Sequence, residues 1–117
     1  MSDMPAAERL DTVLSALADP TRRAIVERLL ARGELTVGDI AEPFRISAPA
    51  ISRHLRVLEN AGLVERRIDK QWRVVRAKPD GLRGVDSWLE RARRHWSDAL
   101  DRLEAVAARE MPKRNKS

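Results

Sequence analysis

The sequence contains no cysteine. That absence excludes disulfides, thiolate metal sites and cysteine nucleophiles together. Aromatic residues are almost as scarce: Phe44, Trp72, Trp88 and Trp96 are all there are in 117 residues. With 43% hydrophobic and 35% charged residues, this composition suits a thin, mainly helical body that completes its core by pairing with a second copy. The length allows one domain, expected over residues 1–110, followed by a basic tail, "MPKRNKS", expected to fray. No apolar run approaches the length needed to cross a bilayer, and "MSDMPAAERLDTVL" lacks the basic start and apolar stretch of a signal peptide, so a cytoplasmic protein without membrane partners is expected. Ser47, Ser52 and His54 lie near one another in the chain, but no acid is placed to orient the imidazole and no glycine-rich oxyanion loop accompanies them. No enzyme is expected.

The chain does have positive charge, concentrated in one place. The total is +5, yet residues 45–78 alone hold nine bases (Arg45, Arg53, Arg56, Arg66, Arg67, Lys70, Arg73, Arg76, Lys78) against three acids (Glu59, Glu65, Asp69). The remainder of the chain is therefore slightly acidic. A local basic excess of this kind suits a surface that binds a polyanion.

Leu10, Val13, Leu14 and Leu17 recur at helical spacing, which predicts an amphipathic first helix. Asp19 followed by Pro20 predicts an N-cap and first turn, and Gly33 the end of the second helix. Thr36, with Asp39 three residues on, predicts a short third helix whose apolar side is Val37, Ile40 and Ala41, cut off by Pro43. Ser47 caps a fourth helix that Gly62 closes. Next, "LVERRID" and "WRVVRA" are β-prone runs that read as a two-stranded hairpin turning near Lys70. A last helical pattern runs from about Val85.

The fourth helix carries the chemistry. Ile51, Leu55 and Leu58 share one face, while Pro49, Ser52, Arg53, Arg56 and Asn60 share the opposite one, which holds two arginines and no acid. A short helix, a tight turn, a capped helix and a basic hairpin make a winged helix-turn-helix: a mainly α fold with a small β-hairpin. One face of the recognition helix, residues 48–61, is then free to enter the major groove of double-stranded DNA. Ser47, Ala48, Pro49, Ser52, Arg53 and Arg56 are the expected contacts there, with His54 at the border of the buried face, bonded to backbone or phosphate. Arg67, Lys70, Gln71 and Arg73 on the wing, residues 63–77, would lie over adjacent backbone or minor groove. Trp72 fits either packing against the hairpin or stacking on sugar-phosphate. A less specific architectural nucleic-acid binder and a domain acting through protein contacts remain as alternatives.

The stretches "ALADPTRRAIVERLL", "ELTVGDIAEPFRISAPAISRHLRVLENAGLV" and "ERRIDKQWRVVRA" resemble the ArsR-type family of bacterial winged helix-turn-helix repressors. The resemblance implies a homodimeric repressor of transcription acting at an inverted-repeat operator. Two positions depart from the family pattern: Arg45 stands in the helix-helix turn and Lys70 at the wing tip, both places where glycine is usual. The family's soft-metal site uses cysteines on the third helix, where this chain has Thr36 and Gly38. Its other frequent site uses histidines and carboxylates on the last helix, where this chain has one histidine, His95, with Asp98 and Asp86. No metal or cofactor is therefore expected, the chain resembles a non-metal branch, and any small-molecule inducer is unassigned. The apolar stripe of the last helix, including Trp88, Leu89, Trp96, Leu100 and Leu103, together with Leu10, Val13 and Leu14 of the first, is expected to form the dimer interface.

Overall fold

The Asp19 carboxylate accepts a hydrogen bond from the backbone N–H of Arg22 at 3.0 Å, and this cap separates the first two helices of the computed structural model, α1 (Ala6–Leu17) and α2 (Pro20–Arg32). The structure describes residues 6–110; the expected basic tail lies outside them. Gly33 ends α2 by donating its N–H to the Leu29 carbonyl at 2.8 Å. Next come β1 (Glu34–Thr36) and α3 (Val37–Ala41), the latter capped by the Thr36 hydroxyl, which accepts from the Asp39 N–H at 3.1 Å. Thr36 thus ends a strand and starts a helix. The chain continues through α4 (Ala48–Asn60), β2 (Val64–Asp69), β3 (Trp72–Ala77) and α5 (Pro79–Glu110).

The hairpin expected from the sequence is present, and β1 joins it on the far side of β3 to make an antiparallel sheet of order β1-β3-β2. Leu35 pairs with Val75 and Arg66 with the same Val75 from the other side. One difference from expectation is the start of α5, at Pro79 instead of near Val85. Gly81 and Gly84 lower the helical signal of that first stretch, but Pro79 suits a first helical position. Gly81 also has a packing reason: a Cβ there would collide with the Gly62 carbonyl oxygen. Gly62 in turn has φ +75° after the end of α4, a conformation side chains rarely adopt.

By its internal contacts the chain divides into two units, Met1–Val85 and Asp86–Ser117. The first has the core, built on Ile25, Leu29, Ile40, Ile51, Leu55, Leu58, Leu63, Val64 and Val75, all under 2% exposed. Val13 and Ala16 of α1 join it, and Leu82 and Val85 from the first turns of α5 pack against it. In the second unit, α5 has a stripe with alternating spacings of three and four: Leu89, Ala92, Trp96, Ala99, Leu103 and Val106. That is a heptad pattern. Trp88 and Trp96 meet edge to face there, with ring centroids 6.3 Å apart. Among its described residues α5 buries none, and Trp96 and Leu103 are 56% and 64% exposed.

Candidate nucleic-acid interface

Ser47 begins the recognition element. Its hydroxyl accepts from the Ala50 N–H at 3.3 Å, and Pro49 fits the first turn, which has no amide to lose to the ladder. Ile51, Leu55 and Leu58 are wholly buried. That fixes which side of α4 faces outward. Ser47, Ala48, Pro49, Arg53 and Arg56 are exposed and Ser52 half-buried, as the spacing predicts. Neither Arg53 nor Arg56 has a hydrogen-bond or ionic partner among the described residues, so both guanidinium groups keep all their donors for another molecule.

The wing presents a second group. Asp69 pairs with Trp72 across the hairpin, leaving Lys70 and Gln71 as a two-residue loop. Lys70 takes φ +60°, the one positive value at a non-glycine among the described residues. This is how the chain makes a tight turn without the usual glycine. Arg45, the other departure, needs no such conformation. Lys70, Gln71 and Arg73 are all exposed, and so is Trp72.

Other wing arginines are committed internally. Alternation along the strands puts Glu34, Glu65, Arg67 and Arg76 on one sheet face. There Arg67 makes a forked contact with Glu34, Nη2 to Oε1 at 2.7 Å and Nε to Oε2 at 3.2 Å, and Arg76 pairs with Glu65. The hydrogen bonds that Arg67 donates to the Glu34 carboxylate hold its guanidinium above its usual pKa, so it is a firmly charged but occupied group. On the opposite face Arg66 reaches back to α4, its Nη2 2.6 Å from Glu59 Oε1. Arg67 was expected over adjacent backbone or minor groove; in the structure it is ion-paired with Glu34, which arrives from a strand the sequence did not reveal. Arg45, Arg53, Arg56, Lys70, Arg73 and Lys78 are left without an acidic partner among the described residues.

His54 also stands apart from the Arg53–Arg56 face. Its Nδ1 lies 3.4 Å from Arg22 Nη1 and 3.9 Å from Asp19 Oδ2, at the start of α2. Of the two neighbours, Asp19 has its carboxyl held below the ordinary range, first by the Arg22 backbone N–H and then by the nearby His54 and Arg22 charges. Arg22 carries no signal of this role in the sequence, since nothing local announces a contact 32 residues away. Of the expected dimer residues, Val13 is 6% exposed and packed in the core of its own unit, so it is not on an open face. Leu10, Leu14 and Trp88 are half-buried, whereas Leu89, Trp96, Leu100 and Leu103 are exposed. Among the described residues no three His, Asp or Glu side chains group to hold a metal ion, and no helix is long and apolar enough to cross a membrane.

Comparison with known proteins agrees with this geometry. Residues 19–66, from the cap of α2 to the middle of β2, match the family described as bacterial regulatory protein, arsR family. The chain is 47% identical over 90 residues to the HTH-type transcriptional regulator Rv2034 of Mycobacterium tuberculosis, covering 77% of this chain and 80% of that protein. It is 49% identical over 55 residues to the transcriptional repressor SdpR of Bacillus subtilis, covering 47% and 60%. A homodimeric winged helix-turn-helix DNA-binding domain from Mycobacterium bovis, a possible ArsR-family regulator, superposes with a TM-score of 0.61 at 27% identity, covering 99% of this chain and 97% of that one.

Proposed function

The chain belongs to the ArsR family of DNA-binding transcriptional regulators, not enzymes, and from that premise we propose that it is a homodimeric repressor binding an inverted-repeat operator. The recognition helix α4 enters the major groove, and the wing tip lies on flanking backbone or minor groove. One observation carries this reading: among the described residues Arg53 and Arg56 stand unpaired opposite a fully buried aliphatic face, and Lys70 and Arg73 at the wing tip are also unpaired. The helix face reads bases, because guanidinium forks match guanine edges. The wing tip neutralises phosphates and mainly positions the protein.

Dimerisation follows from α5, whose exposed heptad stripe finds its complement in a second copy, joined by Leu10 and Leu14 of α1. Soft-metal control has no thiolates to act through and the last helix offers one histidine, His95, so arsenite and zinc are expected to leave operator affinity unchanged.

The test is to enrich a duplex from a random-sequence pool with the wild-type protein, then compare it with a scrambled duplex of equal composition across a salt series. A repressor prefers the enriched duplex by roughly three orders of magnitude or more, and that duplex has two half-sites about one helical turn apart. Equal affinity for both duplexes at every salt concentration overturns the reading in favour of an architectural binder.

A further inference from the structure

Arg22 lies in the first turn of α2, and its guanidinium divides its donors between two other elements. Nε donates to the Ala16 carbonyl at 2.6 Å and Nη2 to the Ser15 carbonyl at 3.3 Å, both in the last turn of α1. Nη1 points to His54 Nδ1 on α4, at 3.4 Å. The next residue, Arg23, does half of this work: its Nη1 donates to the Leu17 and Ala18 carbonyls at 2.8 and 3.0 Å. Among the described residues it makes no hydrogen bond or ion pair to α4.

The position of His54 on its helix gives the Arg22 contact meaning. At about 100° per residue, the stripe Ile51, Leu55 and Leu58 has His54 on one flank and Glu59 on the other. Both flanking side chains are engaged, His54 with Arg22 of α2 and Glu59 with Arg66 of β2. Three aliphatic side chains fix the depth at which a helix packs, but they resist rotation about its axis only weakly. Directional polar contacts on both flanks resist it in both senses.

We propose that Arg22 is a positioning residue for DNA recognition: through His54 it fixes the rotation of α4, and with it the aim of Arg53 and Arg56. The inference rests on the DNA-binding reading above. It also predicts a tautomer. A guanidinium has donors and no acceptor, so when Arg22 holds Nδ1 that nitrogen presents its lone pair and the neutral ring carries its proton on Nε2, whereas engagement by Asp19 Oδ2, 3.9 Å from the same nitrogen, would place the proton on Nδ1.

Two measurements test it. In nitrogen NMR of the wild-type protein at about pH 9, where imidazole is neutral, His54 shows the Nε2–H tautomer; only His95 must be distinguished from it, by a His95→Gln variant. Replacing the guanidinium by Arg22→Met removes that preference. On DNA, Arg22→Met and His54→Phe each lower affinity for the enriched duplex by about tenfold, their combination lowers it no further, and affinity for scrambled duplex falls much less. Arg23→Met removes the same charge and comparable contacts to α1, and it leaves the ratio of enriched to scrambled affinity unchanged. An Nδ1–H tautomer in the wild type, or equal losses on both duplexes for Arg22→Met, overturns the inference while the wild-type preference for its enriched duplex stands. A wild-type protein with no such preference overturns the DNA reading itself, and this inference with it.

Discussion

Two amphipathic helices in this chain treat their apolar faces in opposite ways. In α4, 13 residues long, Ile51, Leu55 and Leu58 are completely covered by the same chain. In α5, 32 residues long, no described residue is buried and the tryptophan–leucine stripe stands open. The difference suits the two helices to different work. A helix whose apolar side is satisfied within its own unit has a polar side free to meet a ligand at fixed geometry. A helix whose apolar side is uncovered gains its stability from association. On the proposed reading, recognition and assembly fall to separate elements, and damage to one is separable from damage to the other.

Substitution of each face tests that separation. The largest expected effect is on the covered face: Leu55→Ala empties a wholly buried site and costs about 2–5 kcal/mol of folding stability, measured by denaturant unfolding. A loss below about 1 kcal/mol would contradict the packing described for α4. On the open face, Trp96→Ala weakens dimerisation by about 2 kcal/mol, on the order of 30-fold, while circular dichroism of the first unit's helices is retained. Sedimentation equilibrium decides this; unchanged association means that some other surface holds the dimer. Next comes the working side of α4, where Arg56→Ala, with Arg53→Ala as its counterpart, removes about 1–3 kcal/mol of discrimination between operator and scrambled DNA. If both variants lose the same affinity on both duplexes, the face is an electrostatic platform only.

Smaller effects sharpen the comparison at its edges. Lys70→Asn relieves a left-handed lysine, leaving stability equal or higher by up to about 1 kcal/mol, yet it weakens all duplexes alike and lowers the salt slope by about one. A sequence-dependent loss would make the wing a reader of bases. The smallest effect belongs to Asp19. Its carboxyl is depressed in the folded state, so its contribution is present at neutral pH and disappears as pH falls below the unfolded carboxylate value of about 3.9 and through the lower folded one. The stability gap between wild type and Asp19→Asn therefore narrows over that acid window, and a gap independent of pH would show that the carboxylate's charge is not what caps α2.

Most of the fold is legible where structure is local. Asp19, Pro20 and Gly33 bound α2, Ser47 opens α4, and the spacing of Ile51, Leu55 and Leu58 identifies the covered face, because capping and helical periodicity act over a few residues. Strand β1 is not legible: three residues carry no periodicity, and their pairing partner lies about forty residues on. The same distance hides the Arg67–Glu34 pair, so the sequence counts Arg67 as a free cation when it is an occupied one. His54 is visible as a border residue, but its engagement with α2 depends on how the helices cross. The open face of α5 is foreseen as a stripe, whereas the absorption of Val13 into the core is not, since both would read as the same apolar position on a helix.

The ion pairs of Arg66, Arg67 and Arg76 bear finally on how such a protein finds its target in a genome. On the proposed reading, a cation already held by a carboxylate of its own chain contributes less counterion release on a random stretch of duplex, which shortens the dwell time on the vast excess of wrong sites. Arg53 and Arg56 keep their full reach where the right bases are met. On the proposed reading, a chain with the same number of arginines, all unpaired, would linger on any duplex and search slowly, whereas pairing Arg66, Arg67 and Arg76 within the chain leaves discrimination to Arg53 and Arg56.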